Sequence, residues 1–326
     1  MGCLLGHAFG RAGYDVSLID IPARVAQLSA KGTVTLIEED GSESTAGPFR
    51  ISSEYGDLGR HDIVVLATKA QHLPAVADKI GLLRSPGSTI VTIQNGIPWW
   101  YLRGLPAPYG DRPLRCLDPY GTLERSIDPA SIVGCVAYPA VAVEPDGRIR
   151  HGEGRRFSIG ELDGHERDRT RRLAELFEHA GYKSRIIEDI RSEIWLKAWG
   201  ALSINPISAL TRATMEEICS YAETKDLVAL MMREAQDVAE ALGVTFRHTI
   251  ERRIEGARAV GAHKTSMLQD VESGRPLEID ALMLAVLELA EMVGRPAPAI
   301  KAVYACVALL NQTLVHQSEP MLAAQS

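Results

Sequence analysis

Lys197 is the residue of this chain best placed for acid–base chemistry. It stands in an almost wholly apolar run, residues 194–204, where Ser203 is the only other polar side chain. Apolar surroundings desolvate an ammonium, disfavour its charged form and lower its pKa. A lysine so tuned can give up a proton near neutral pH. The competing reading is a buried helix whose lysine extends its stem to solvent. A second set of groups follows apolar runs: Lys69 after residues 62–68 (DIVVLAT), and Asn95-Gly96 after residues 89–93 (TIVTI). A third set, Ser266, Asp270, Glu278 and Asp280, lies in the stretch HKTSMLQDVESGRPLEIDALM.

These groups need elements to hold them. Residues 62–68 and 89–93 read as buried parallel strands, because both are continuous apolar runs. Ligands of open α/β sheets bind at the carboxyl ends of the strands, so Lys69 and Asn95 would face one crevice. Each also has a plainer reading: Lys69 as a solvated strand end, Asn95-Gly96 as a turn. Ahead of them, residues 2–11 read as a helix with Leu4, Leu5 and Phe9 on its apolar face, closed by Gly13. Residues 15–19 then form a strand ending at Asp20. A dinucleotide-binding unit runs strand, glycine-rich turn, helix, strand, acidic residue. The last three parts are present: Gly2 takes the place of the third glycine, and Asp20 follows at a fitting distance. The first strand and the first two glycines are missing. That strand normally occupies the centre of the sheet, and its turn carries N–H groups to the pyrophosphate. The expectation is a chain that starts inside the original turn; the alternative is a cofactor-impaired protein.

Further along, residues 33–38 and 47–53 read as strands flanking the turn-rich EEDGSES, and a helix is expected from about Gln71. Residues 131–144 read as one long strand. The turn Asp146-Gly147 follows, then strands at 148–150 and 156–159, a helix at 166–180 and a last strand at 184–187. His151 and Glu153 lie between strands, where a histidine is usually structural. From residue 189 the pattern is helix upon helix, which divides the chain into residues 1–188 and 189–326. Residues 190–212 form a helix that breaks or kinks at Asn205, since the residue before Pro206 resists the α conformation. A break there frees backbone and amide groups to bind a ligand. Thr214 to Glu217 fits a capping box, and helices follow at 225–242 and 246–260. Residues 263–283 read as a loop-like break carrying the third set of groups, and functional side chains favour such breaks. Glu278 precedes a helix at 279–293, where it would also complement the helix dipole. A helix at 299–315 is the last.

Composition narrows the function. The chain has 326 residues, 46% hydrophobic and 24% charged, which fits about two globular domains. The net charge of -7 argues against nucleic acid or an anionic membrane surface as the main partner. The five cysteines (Cys3, Cys116, Cys135, Cys219 and Cys306) are scattered and lack C-x-x-C spacing. They read as buried thiols of a reducing compartment, not as a disulfide framework or a metal site. No stretch approaches the roughly 18 apolar residues of a membrane span, and no secretory signal is visible.

Taken together, TKAQ (68–71), IQNGIP (93–98), WLKAWGALSINPISALT (195–211) and SMLQD…LEID (266–280) resemble the ketopantoate reductases, within the 6-phosphogluconate-dehydrogenase-like superfamily. The resemblance runs from Gly2 to about Leu314; the motifs are specific in this order and spacing, not singly. It implies an α/β Rossmann-like N-terminal domain, here without its first strand, and an all-α C-terminal domain for substrate and dimerisation. It also implies a site in the cleft between them. The implied activity is NADPH-dependent reduction of ketopantoate to pantoate in pantothenate synthesis, in the cytoplasm. By the same resemblance Lys197 is the catalytic lysine, Glu278 the glutamate working with it, and Asn95 the asparagine near nicotinamide and carbonyl. Lys69, with Gly2, Asp20 and Arg24, falls on the cofactor side, and Asn205 and Ser266 at substrate positions. Two features depart or pull apart. The family's asparagine four residues after the lysine is Ala201 here, too short and apolar to bind a polar group, which admits another small 2-oxo acid. Asp20 suits a ribose 2′-hydroxyl and hence NAD(H), whereas Arg24 suits a 2′-phosphate; the family leans to NADP(H). From a different class, a non-catalytic relative would keep the helical domain and a homodimer interface.

Overall fold

In the computed structural model, which describes residues 1–110 and 112–323, the chain forms two compact units. The first comprises Met1–Thr68, His72–Gln94 and Gly121–Ile190; the second comprises Lys69–Gln71, Asn95–Tyr120 and Arg191–Ser326. The chain passes from the first unit to the second near residue 190. The second unit also takes in two segments from the N-terminal half, which contain Lys69 and Asn95.

The first unit opens with α1 (Gly2–Arg11). Its face of Leu4, Leu5, Ala8 and Phe9 is buried in a core shared with Val91, Val133, Phe157 and Phe177. The helix stops where the periodicity stops. Gly13 adopts φ +87°, Tyr14 N–H donates to Phe9 O at 3.0 Å, and Gly13 N–H donates to Gly10 O at 3.1 Å. This is a Schellman closure, with Tyr14 edge-on to Phe9 as its apolar clasp. The chain continues through β1 (Ser17–Ile19), α2 (Pro22–Ser29), β2 (Val34–Ile37), β3 (Glu43–Ala46), β4 (Arg50–Ser52), β5 (His61–Leu66), α3 (Ala77–Ile80) and β6 (Arg84–Thr92). It then forms α4 (Thr122–Ser126), β7 (Ile132–Ala137), β8 (Val141–Val143), β9 (Ile149–His151), β10 (Arg156–Glu161), α5 (Asp168–His179) and β11 (Lys183–Ile186).

Five strands make the main sheet in the order β11-β10-β7-β6-β5. All its pairs are parallel except β7 with β10. The α/β architecture with a mostly parallel sheet agrees with the sequence. β1 pairs in parallel with β4 in a separate two-stranded sheet, and β3-β2-β9-β8 form a third.

Four expectations fail locally, each at a proline or glycine. Residues 131–144 are two strands in two sheets, because Pro139 has no N–H to continue a ladder; the chain turns at Tyr138 and Ala140, whose N–H groups donate to Arg156 O and Glu153 O. The strand expected at 47–53 is shortened to β4 after Gly47-Pro48, and β3 forms before that pair, partly where a turn was expected. The helix expected from Gln71 is a single 3-10 turn, Ala70–His72, and α3 begins only after Pro74. The fourth is the break at Asn205: α6 (Ile190–Thr211) runs straight through Pro206. A proline inside a helix costs about 3 kcal/mol. Here Leu202, Ile204, Ile207 and Ala209 are all buried around it, and their packing outweighs the lost bond.

In the second unit α6 buries Trp195, Ala198, Trp199 and Leu202, a spacing that puts them on one stripe. Trp195 Nε1 donates to Tyr101 Oη at 2.7 Å and Trp199 Nε1 to Met232 O at 2.6 Å, so both indoles find partners in the core. After it come α7 (Met215–Ser220), α8 (Ala222–Ala241), α9 (Ile250–Arg258), α10 (Ser266–Glu272), a π turn (Asp280–Leu284), α11 (Ala285–Val293) and α12 (Pro298–Ala323). The expected capping box is present: Thr214 and Glu217 bond reciprocally at the start of α7. The stretch expected as a loop contains α10, capped by Thr265, and the helix expected at 279–293 starts with the π turn.

The cysteines are free thiols; Cys135 and Cys219 are buried, but Cys306 is exposed, contrary to expectation. Within α12, Pro298–His316 has mean hydropathy 1.3 and is long and apolar enough to cross a membrane by those two measures. That corrects the reading that no stretch comes close. The window includes Lys301 and Asn311, and its Ile300, Val303, Val307 and Leu314 are buried in the unit.

Candidate active site

The second unit builds its site on three elements: the turn at Asn95-Gly96, helix α6, and the segment from α10 to the π turn. Gly96 docks the first on the third. It adopts φ +81°, and a Cβ there would lie 2.3 Å from Ala281 O. Only glycine permits that approach. The next residue then donates Ile97 N–H to Ala281 O at 2.8 Å. The π turn thus anchors the loop that carries Asn95, and π turns recur at functional sites.

Asn95 is held between two ionisable groups. Lys197 Nζ donates to its Oδ1 at 2.7 Å. An ammonium can only donate, so the amide oxygen must face it and the amide nitrogen must face the other way. There Nδ2 donates to Glu278 Oε2 at 3.5 Å, the outer limit of a hydrogen bond. Ala70 N–H approaches Glu278 Oε1 at 3.4 Å. Burial pushes the Glu278 carboxyl above its ordinary pKa, against the opposing pull of the Lys69 charge, the Ala70 N–H and the Asn95 amide. Burial also raises Asp280. The sequence paired Glu278 with Lys197; the geometry puts Asn95 between them.

Lys69 is anchored beside this group. Its Nζ donates to Asp270 Oδ2 at 2.7 Å and to Pro276 O at 2.8 Å, and Arg275 Nε donates to the other Asp270 oxygen at 2.8 Å. Asp270 was visible in the sequence but not matched to Lys69, because a pairing across 201 positions leaves no local pattern. Ser266 is the first residue of α10 and exposed, and Asn205 lies inside α6, half-buried. Neither side chain hydrogen-bonds among the described residues, so both are available to a ligand. Ala201, one turn beyond Lys197, is half-buried and apolar.

The remaining residues belong to the first unit. A Cβ on Gly2 would come 3.3 Å from Ala67 Cβ, so the start of α1 packs closely on the chain leaving β5. That helix start has no side-chain cap, which leaves its first N–H groups for an anion. Asp20 Oδ1 accepts from Ile21 N–H at 2.8 Å. Arg24 is turned toward the β8–β9 hairpin, donating to Gly147 O at 2.8 Å and to Gln27. Gln94, which closes β6, donates through Nε2 to Leu66 O at 2.6 Å and Thr68 O at 3.2 Å. Among the described residues no cluster of three or more His, Cys, Asp or Glu side chains is arranged to hold a metal ion.

The chain as a whole has known counterparts. Residues 1–164 match the family model described as ketopantoate reductase PanE/ApbA, and residues 189–311 match the model of its C-terminal part. The chain belongs to the ketopantoate reductase family. A 2-dehydropantoate 2-reductase of Mesorhizobium japonicum is 47% identical over 293 residues, covering 90% of this chain and 89% of the relative. One from Archaeoglobus fulgidus is 27% identical, with the same coverage of both chains. Among solved structures, a candidate ketopantoate reductase from Ralstonia solanacearum MolK2 superposes with a TM-score of 0.89 at 35% identity, covering 95% of this chain and 94% of that one. As in that family, the fold is a Rossmann-like α/β domain with a helical C-terminal domain, and the protein is an oxidoreductase acting on a CH–OH group.

Proposed function

We propose that this chain reduces ketopantoate to pantoate with NADPH, with Lys197 as the general acid. The observation that carries the reading is the Lys197–Asn95–Glu278 arrangement, in a chain 47% identical to a 2-dehydropantoate 2-reductase. A bound nicotinamide would supply hydride to C2 of the substrate. Negative charge then develops on the carbonyl oxygen, and Lys197 Nζ stabilises it and delivers the proton. Asn95 fixes the direction of Nζ through Oδ1, so the ammonium meets the oxygen without searching rotamers. Glu278 holds the amide in that orientation, and its carboxyl, shifted upward by burial, stands next in line to the acid group. Ser266 and Asn205 offer donors to the substrate. On the cofactor side, the uncapped start of α1 at Gly2 suits a pyrophosphate, Asp20 suits ribose hydroxyls, and Arg24 and Lys69 suit phosphates once released from their present partners.

A second reading keeps the reaction and changes the substrate to another small 2-oxo acid. The apolar side chain of Ala201 favours it, since a methyl cannot hydrogen-bond a substrate hydroxyl. Nicotinamide oxidation followed at 340 nm, with ketopantoate and a panel of 2-oxo acids against NADPH and NADH, tests both. Selective turnover of ketopantoate with NADPH is expected. Preference for another acid establishes the second reading, and no turnover of any acid with either cofactor refutes both.

A further inference from the structure

Beyond Lys197, α6 offers a gap. Gly200 and Ala201 have no polar side chain, and Gly200 is buried in the middle of a 22-residue helix. Glycine in a helix interior is unfavourable by roughly 1 kcal/mol relative to alanine, so its presence needs a cause. The cause is a guanidinium from α9. A Cβ on Gly200 would lie 2.7 Å from Arg253 Nη2, 3.1 Å from Nε and 3.2 Å from Cζ. Three atoms of one planar group crowd one backbone position, so any side chain at residue 200 would displace it.

The placement matches a substrate. Gly200 follows Lys197 by three residues, so the two share a helix face and lie about 4.5 Å apart along the axis. A 2-oxo acid bears its carboxylate on the carbon next to the carbonyl. An acid group for the carbonyl oxygen and a planar cation for the carboxylate therefore belong a few ångströms apart. Asn205, eight residues from Lys197, lies about 12 Å along the axis, too far to serve the same carboxylate. Glu193, one turn before Lys197, is buried and accepts from Arg247 Nη2 at 2.7 Å, so the nearest acid on this helix already has a cationic partner.

We infer that Arg253 binds the carboxylate of the 2-oxo acid substrate, and that residue 200 is glycine to admit its guanidinium. Arginine matches a carboxylate with two parallel N–H donors, which lysine cannot do. The inference rests on the reductase reading above, and the test separates the two. Arg253→Met is compared with the native chain on ketopantoate and on ketopantoyl lactone, its neutral internal ester. KM for ketopantoate should rise about a hundredfold or more, the scale for losing a buried charge partner. Turnover number should change far less, and lactone kinetics and the NADPH dissociation constant should stay within about threefold. Should Arg253→Met fail to give a cooperative melt, Arg253→Lys keeps the charge and should raise KM about tenfold for the acid only. An unchanged KM, or equal losses on acid and lactone, overturns the inference. Tryptophan-fluorescence titration with oxamate in the presence of NADP+ works without turnover. Oxamate binding weakened by Arg253→Met supports the inference even if ketopantoate is not reduced; equal binding, or none by the native chain, overturns it.

Discussion

Gly96→Ala should damage both stability and catalysis, and the structure fixes how. Residue 96 stands at φ +81°, where a residue with a Cβ loses roughly 1–2 kcal/mol. The new methyl would lie 2.3 Å from Ala281 O, 2.5 Å from Ala281 C and 2.9 Å from Leu282 N. Backbone atoms cannot rotate aside, so loop and π turn must separate by about 0.7 Å or more to reach even 3.0 Å. That separation weakens the 2.8 Å Ile97–Ala281 bond, worth about 0.5–1.5 kcal/mol. The total loss is about 1.5–3.5 kcal/mol. Because Asn95 precedes the glycine, its contacts to Lys197 and Glu278 move too, and a displacement near 1 Å can cost about a hundredfold in rate. Gly87→Ala is the control: it also has positive φ, +77°, but nothing lies within 4 Å of its Cβ. Urea unfolding and steady-state turnover of both variants decide the matter. Gly87→Ala should show only the backbone strain and keep its turnover. If the two variants melt alike and turn over alike, the docking of Asn95 on the π turn is not what holds the site.

Three further outcomes are expected. The Glu278 carboxyl holds its proton more tightly folded than unfolded, so its contribution is fully present below the ordinary carboxylate pKa and is lost as pH rises through the raised folded value; urea midpoints of Glu278→Gln should lack that decline, and parallel pH profiles for both proteins would contradict it. Glu234, buried in α8, accepts from Ala299 and Ile300 N–H at 2.9 Å each and so caps α12; Glu234→Ala should lower unfolding free energy by about 1–3 kcal/mol, measured by denaturant titration. The Lys69–Asp270 pair is mostly shielded, with side chains 30% and 13% exposed; a double-mutant cycle of Lys69→Met and Asp270→Asn should give a coupling of about 1 kcal/mol, and additive losses would mean the pair contributes nothing to stability.

Much of this was legible in the sequence where local chemistry decides structure. The continuous apolar runs before Lys69 and Asn95 marked buried strands, and a lysine amid tryptophans and alanines marked Lys197. Gly13 and Thr214 announced a helix stop and a helix start through their own side-chain and backbone preferences. What stayed hidden depends on partners far along the chain. Pro206 argues for a break until the buried neighbours of α6 are known. Pro139 does break its strand, but nothing nearby says that the halves join different sheets. The facing of Asn95 is set by Lys197, 102 positions away, and Glu278, 183 positions away. Gly200 looks like a weak point of α6 until Arg253 is placed on it.

Lys197→Ala is the most direct test of the mechanism. Its turnover of ketopantoate should fall by at least about a hundredfold, the usual scale for a positioned acid, while NADPH binding and the urea midpoint stay near those of the native chain. Turnover within a few-fold of native would contradict the assignment of Lys197 as the acid.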